Sequence, residues 1–299
     1  MKLVTYLQNT QQCLGIFDQK KGILNIVDAG KKHLGKDLPV DMLAFIEAGP
    51  SALSDAKKLL TIADGWIDPG TIKILAPIPQ YKKNIFCVGR NYKLHIEEGA
   101  RARGVEPSFP SVPEFFSKPP STVIGDGDEI LWDSRCTQQL DYEIELGIVM
   151  GVKAKDIAEK DALSTVFGYT IVNDVSAREV QKAHGQWFKG KSFDTFAPIG
   201  PYIVTADEFA NPAGHQLVLK VNGKIRQNSN TADMLFSCAQ IIQSLSAGLT
   251  LEPGDTIATG TPSGVALGMT PQGWLKDGDV VELFIEGIGT LSNTVKKIA

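Results

Sequence analysis

The chain has 299 residues, 43% hydrophobic and 21% charged, enough for one large domain or a large and a small one. Its formal net charge of −4 argues against a nucleic-acid partner, because phosphate neutralisation needs a basic face. No apolar run approaches the roughly 18 residues of a membrane span. Cys13, Cys87, Cys136 and Cys238 are too widely spaced for the paired zinc and redox motifs. They suggest free, mostly buried thiols in a reducing compartment, and with no secretory h-region after Met1 the expected location is cytoplasmic.

Residues 1–80 are expected to form a small N-terminal α/β unit. Leu3–Leu7, Cys13–Phe17 and Ile23–Val27 have strand character, with a hairpin connection over Asp18–Gly22. A helix near Asp41–Glu47 should stop at Gly49-Pro50. A second amphipathic helix is expected over Ser51–Ala63. The prolines of Ile72–Pro79 suit a linker or an edge strand.

The larger part, 81–299, opens with a buried-type strand over Asn84–Gly89. His95 and Glu98 follow. In a helical turn these positions are neighbours, so a carboxylate can orient an imidazole, although such pairs are also ordinary on helix surfaces. Residues 99–114 carry Gly104, Pro107, Pro110 and Pro113 and are expected to be a long irregular segment over the site. Phe115–Pro120 resumes the core, and a short strand is expected over Glu129–Trp132. Leu140–Val149 alternates. Tyr142, Ile144 and Leu146 point one way, and Glu143 and Glu145 share the other face.

Beyond it, a helix is expected over Asp156–Leu163 and a strand over Val166–Asp174 that delivers Asp174 at its end. Another helix should begin at Ser176, with Arg178 and Gln181 one turn apart. Leu217–Arg226 reads as a hairpin around Asn222-Gly223. A helix over Met234–Leu245, a strand and loop over Leu251–Gly264 and a last hairpin complete the chain. No Walker-type or G-x-G-x-x-G loop is present.

Glu143, Glu145 and Asp174 make an all-oxygen set, which favours magnesium, manganese or calcium over zinc. Spacing alone would also allow Glu143 and Glu145 to face solvent. Asp174, however, ends an apolar strand, where a carboxylate needs a partner. Lys191, in Lys189-Gly190-Lys191-Ser192-Phe193, can bring an ammonium to stabilise an oxyanion. Thr259–Gly264 offers hydroxyls and backbone N–H groups.

Taken in order, Val88-Gly89-Arg90-Asn91-Tyr92 with His95, Asp141–Leu146, Asn173–Arg178 with Gln181, Lys191-Ser192-Phe193 and Thr259–Val265 resemble the fumarylacetoacetate hydrolase family. The resemblance covers roughly residues 80–299. It implies an α+β, β-rich fold, a mixed β-roll catalytic domain after the small N-terminal domain, and a homodimer. It also implies a Mg2+-type ion, Mn2+ or Ca2+ being alternatives, on Glu143, Glu145 and Asp174. It casts His95 as the residue that activates water and Glu98 as its partner. Lys191 and Thr261 become oxyanion or substrate contacts, with Arg90, Arg178 and Gln181 around the substrate. The founding hydrolases carry a further Asp ligand where this chain has Cys87-Val88-Gly89, so water is expected in that position. The expected activity is hydrolysis of a C–C bond in an acylpyruvate-like 1,3-diketo acid. The alternative is decarboxylation or isomerisation (tautomerisation) of 2-oxo or 2-hydroxydiene acids.

Overall fold

Two large sheets, a two-stranded ribbon of Leu140–Asp141 with Ser176–Ala177, and several helices make up the computed structural model, which describes residues 1–299. The larger sheet runs from Gly22–Asn25 through Gln11–Asp18, Lys2–Gln8, Ala197–Thr205, Val166–Asn173, Ile144–Met150, Thr256–Ala258 and Ile85–Gly89 to Glu114–Lys118. Its strands are mostly antiparallel, but Thr256–Ala258 lies parallel to Ile85–Gly89. The smaller sheet has five strands, in the order Lys224–Asn230, Gln216–Val221, Val280–Ile285, Gly289–Lys297 and Glu129–Trp132. This is the expected α+β, β-rich architecture. No helix is long and apolar enough to cross a membrane.

The smaller sheet follows the alternation rule. Leu217, Leu219 and Val221 from one strand and Val281, Leu283 and Ile285 from its neighbour enter the core, while the intervening residues stay more open. Opposite them, Ile144, Leu146, Ile148, Tyr169 and Ile171 of the larger sheet and Ile241, Ile242 and Leu245 of the helix Cys238–Ser246 complete the main core. The Asn222-Gly223 hairpin forms as expected, with both residues at positive φ (51° and 74°). That is the twist a two-residue connection needs.

The strand Ile144–Met150 departs from its expected character. The alternation suggests one buried and one open face, yet every residue is buried. The even positions enter the main core. On the other side Val149 joins a second core with Phe45, Leu59, Phe167 and Ile203, Glu143 meets Arg178 and Lys191, and Glu145 accepts from the Gly260 backbone. The second core lies under the helix Met42–Ile62, capped by Asp41, whose carboxylate accepts from Ala44 N at 2.8 Å. Gly49 (φ 62°, ψ −140°) breaks that helix where Gly49-Pro50 marks the stop.

Residues 1–80 therefore share a sheet with the rest of the chain. Lys2 and Leu3 pair with Val204 and Ile203. The strand Ala197–Thr205 that makes this junction is missing from the sequence expectations. Its two prolines and Gly200 hide an otherwise buried segment. Other bounds shift as well. The helix carrying His95 continues to Arg103, so the irregular stretch is only 104–113. The expected helix over Asp156–Leu163 shrinks to Glu159–Ala162, and the one at Ser176 starts at Arg178. The helix expected from Met234 starts at Cys238, where Ser237 caps it. Cys87 and Cys238 are buried, but Cys136 is exposed.

Phe167 sits edge-on to Phe45, 6.3 Å between ring centroids, and couples the N-terminal helix to the large sheet. Replacing it (Phe167→Ala) should cost about 3–5 kcal/mol, measured as a lower urea midpoint. Parental stability would mean that the junction carries no load.

Candidate active site

The acidic strand is interrupted where the site begins. Leu140–Asp141 pairs with Ser176–Ala177, and regular pairing resumes at Ile144 with Asn173. Between them, side chains replace part of the ladder. Glu143 N donates to Asn173 Oδ1 at 3.1 Å, Ile144 N donates to Gln227 Oε1 at 3.0 Å, and Asp174 N donates to the Glu143 carbonyl at 2.9 Å. These bonds set Glu143, Glu145 and Asp174 together, with one carboxylate oxygen from each within 4.8 Å of the others. All three are at most 4% exposed.

Lys191 Nζ lies between two of them, 2.8 Å from Glu143 Oε2 and 2.6 Å from Asp174 Oδ2. Its approach depends on Gly190, where a Cβ would come within 2.7 Å of the Gln181 backbone. Arg178 donates through Nη2 to Glu143 Oε1, through Nε to Asp141 Oδ2 at 2.8 Å, and through Nη1 to Gln181 Oε1 at 3.2 Å. Glu145 forms no ion pair. Its Oε2 accepts from Gly260 N at 2.8 Å. Gly260 (φ 95°) is needed there, because a Cβ would stand 2.7 Å from the Asn91 Cβ.

Two charged residues escaped the sequence reading. Lys118 is wholly buried, its Nζ 2.6 Å from Asp174 Oδ1. Asp141, also wholly buried, accepts from Tyr142 N, Ala266 N and Leu267 N besides Arg178. A signal existed for each. Asp141 shares the odd-numbered face of Glu143 and Glu145, and Lys118 follows the strand-like stretch Phe115-Phe116-Ser117.

The other expected site residues fall into two groups. Glu98 turns both carboxylate oxygens to Gly264 N at 3.0 Å, and His95 Nδ1 stands 3.6 Å from Glu98 Oε2, near but not hydrogen-bonded. Gly268 makes room for Glu98, since a Cβ there would lie 2.1 Å from its Cγ. Thr261 Oγ1 donates to the Ile144 carbonyl and accepts from Gln227 Nε2 at 2.8 Å, so its hydroxyl ties the loop to the acidic strand. Arg90 is braced on Glu114 by two 2.7 Å bonds and reaches the Ser108 carbonyl, outside the carboxylate cluster.

Charge decides what this cluster can hold. Asp141, Glu143, Glu145 and Asp174 face Lys118, Arg178 and Lys191, so one carboxyl group, Glu145, has no cationic partner. Burial opposes ionisation of Glu143, but Lys191 and Arg178 outweigh it and hold that carboxyl well below its usual range. Glu145 goes the other way. Burial, with the charges of Asp174 and Glu143, pushes it well above. A hard divalent cation fits this oxygen-only donor set and the unpartnered carboxyl.

Fold and site together define a β-rich α+β protein with a buried carboxylate cluster suited to a divalent cation. The chain belongs to the fumarylacetoacetate hydrolase family: residues 84–296 match the family's "Fumarylacetoacetate (FAA) hydrolase C-terminal" model. It is 40% identical to oxaloacetate tautomerase YisK of Bacillus subtilis, covering 99% of this chain and 100% of that protein. It is 41% identical to the mitochondrial oxaloacetate tautomerase fahd2 of Xenopus laevis, covering 91% and 82%. Among solved structures, a fumarylacetoacetate hydrolase from Exiguobacterium antarcticum is 39% identical, with a TM-score of 0.82 and 99% of both chains covered. Maleylpyruvate hydrolase from Sphingobium sp. SYK-6, solved with manganese(II) and pyruvate, is 28% identical, with a TM-score of 0.79 over 99% of both chains.

The expectation of C–C bond hydrolysis is corrected here. The two relatives at 40% and 41% identity, matched over 100% and 82% of their own length, are oxaloacetate tautomerases, which favours the isomerase alternative. The physical reason for the misreading is that both reactions use the same parts. A chelating cation, a base and an ammonium serve hydrolysis and proton transfer alike, and motif residues do not report whether water attacks.

Glu145 yields a pH prediction. Its folded pKa lies above the unfolded value, so protonation contributes stability at low pH that is lost as pH rises through the folded pKa. A bound cation needs the ionised form and offsets that loss. The thermal stabilisation by added Mg2+ or Mn2+ should therefore grow as pH rises above the ordinary carboxylate range, followed as the shift in melting temperature. A shift independent of pH would contradict this account.

Proposed function

We propose that the protein is a divalent-cation-dependent tautomerase that interconverts the enol and keto forms of a small 2-oxo dicarboxylic acid, oxaloacetate. Lys191, whose ammonium contacts two of the three clustered carboxylates, carries the charge-stabilising part of this reading, and the His95–Glu98 pair its proton transfer. The tautomerase names of the extensive relatives support it.

Tautomerisation moves one proton from the enol oxygen at C2 to C3 and consumes nothing else. Glu143, Glu145 and Asp174 would hold the cation, which supplies Lewis-acid stabilisation of negative charge on a 2-oxo acid. Lys191 is placed to stabilise the oxygen that gains charge when the C2–O–H proton leaves. His95 carries the proton. Its Nδ1 faces Glu98, 3.6 Å away, so Nε2 is the nitrogen left for exchange with substrate. Gln181, with its oxygen held by Arg178, keeps its amide N–H groups for a substrate carboxylate or carbonyl. Thr261 keeps the 259–264 loop against the acidic strand.

The preference for Mg2+, with Mn2+ as substitute, rests on the oxygen donor set and on the manganese-bound maleylpyruvate hydrolase. A homodimer belongs to the same proposal and rests on the family resemblance. The cytoplasmic setting rests on the unpaired cysteines.

Decay of enolic oxaloacetate, followed by its ultraviolet absorbance, should be accelerated by the protein with Mg2+ and lose that acceleration in EDTA. A His95→Ala variant should be slower by about 10²–10⁴. No acceleration by the wild type would overturn the proposed reaction. Undiminished turnover by His95→Ala would remove His95 from it.

A further inference from the structure

Asp174 carries a lysine on each oxygen, and the two lysines are not equivalent. Lys118 Nζ lies 2.6 Å from Oδ1 and 3.1 Å from the Val175 carbonyl, in the same turn of chain. Its Cα is fixed by the Ile85–Lys118 pairing at the end of the strand Glu114–Lys118, and its side chain is wholly buried. Neither of its hydrogen bonds involves Glu143 or Glu145. Lys191 spends both of its hydrogen bonds, to Asp174 Oδ2 and Glu143 Oε2, on the cluster itself. It stands on the short turn Phe188–Lys191, after the exposed residues 182–186.

We propose that Lys118 is a positioning residue. It holds Asp174 by Oδ1 so that Oδ2 stays turned toward Glu143 and Glu145, available to a cation. Lys191 competes with that cation for the same oxygen. The inference rests on the cation-binding part of the proposed function and adds a division of labour between two lysines on one carboxylate.

The division fixes opposite signs. A buried ammonium that only added charge would repel a cation, and removing it would tighten binding. A residue that orients a ligand does the reverse. Without Lys118, Asp174 is left with a buried oxygen that has lost its donor and is free to rotate away. Hydrogen bonds that orient metal ligands are typically worth about 10–100-fold in affinity.

The test uses the full chain and Mn2+ as the probe, with free ion counted by electron paramagnetic resonance. Lys118→Met should weaken the Mn2+ Kd by about 10–100-fold, and Lys191→Met should tighten it. Circular dichroism checks that each variant is folded. Should Lys118→Met not fold, Lys118→Gln, neutral and shorter, is read in the same way. Wild-type binding with a Lys118 variant as tight as the parent, or tighter, overturns the proposal alone. No Mn2+ binding by the wild type overturns the cation reading and the proposal together.

Discussion

Four carboxylates, Asp141, Glu143, Glu145 and Asp174, lie almost entirely out of water within one region of the large sheet. An ion moved from water to a protein interior costs several kcal/mol even after relaxation, unless partners compensate it. The surrounding structure answers that constraint. Lys118 arrives from an outer strand of the large sheet, Arg178 from a six-residue helix and Lys191 from a four-residue turn. Backbone N–H groups of Ala266, Leu267 and Gly260 supply further donors. Gly190 and Gly260 are glycines because a side chain at either would push these partners apart.

Compensation stops one partner short, and that shortfall makes the cluster more than a structural network. Glu145 is the carboxylate without a cationic side chain in contact, and burial beside Asp174 and Glu143 disfavours its charge. A fully matched network would hold its charges in place and do little else. This one has room for positive charge where three oxygen donors converge, next to an ammonium that can answer negative charge on a substrate.

The N-terminal lobe contributes at the other end of the same strand. Val149 packs under Phe45 and Leu59 in the second core, while Glu143 and Glu145 hold the site end of that face. The lobe's core thus closes the Val149 end of that sheet face.

Motif chemistry was legible in the sequence because it is local. Strand alternation put Glu143 and Glu145 on one side, an apolar run ended in Asp174, and one helical turn joined His95 to Glu98. The Asn222-Gly223 hairpin and the break at Gly49-Pro50 follow from single residues with restricted backbone choices. What tertiary structure alone decided depends on which segments meet. Lys118 lies 56 residues from Asp174 in sequence, and no local pattern predicts such a contact. The burial of both faces of Ile144–Met150, the strand Ala197–Thr205 that joins lobe to sheet, and the Arg90–Glu114 brace arise in the same way. The amino-acid pattern determined which residues can ionise, chelate or turn. The fold decided which of them share a dry space, because burial and charge balance are properties of neighbours in space.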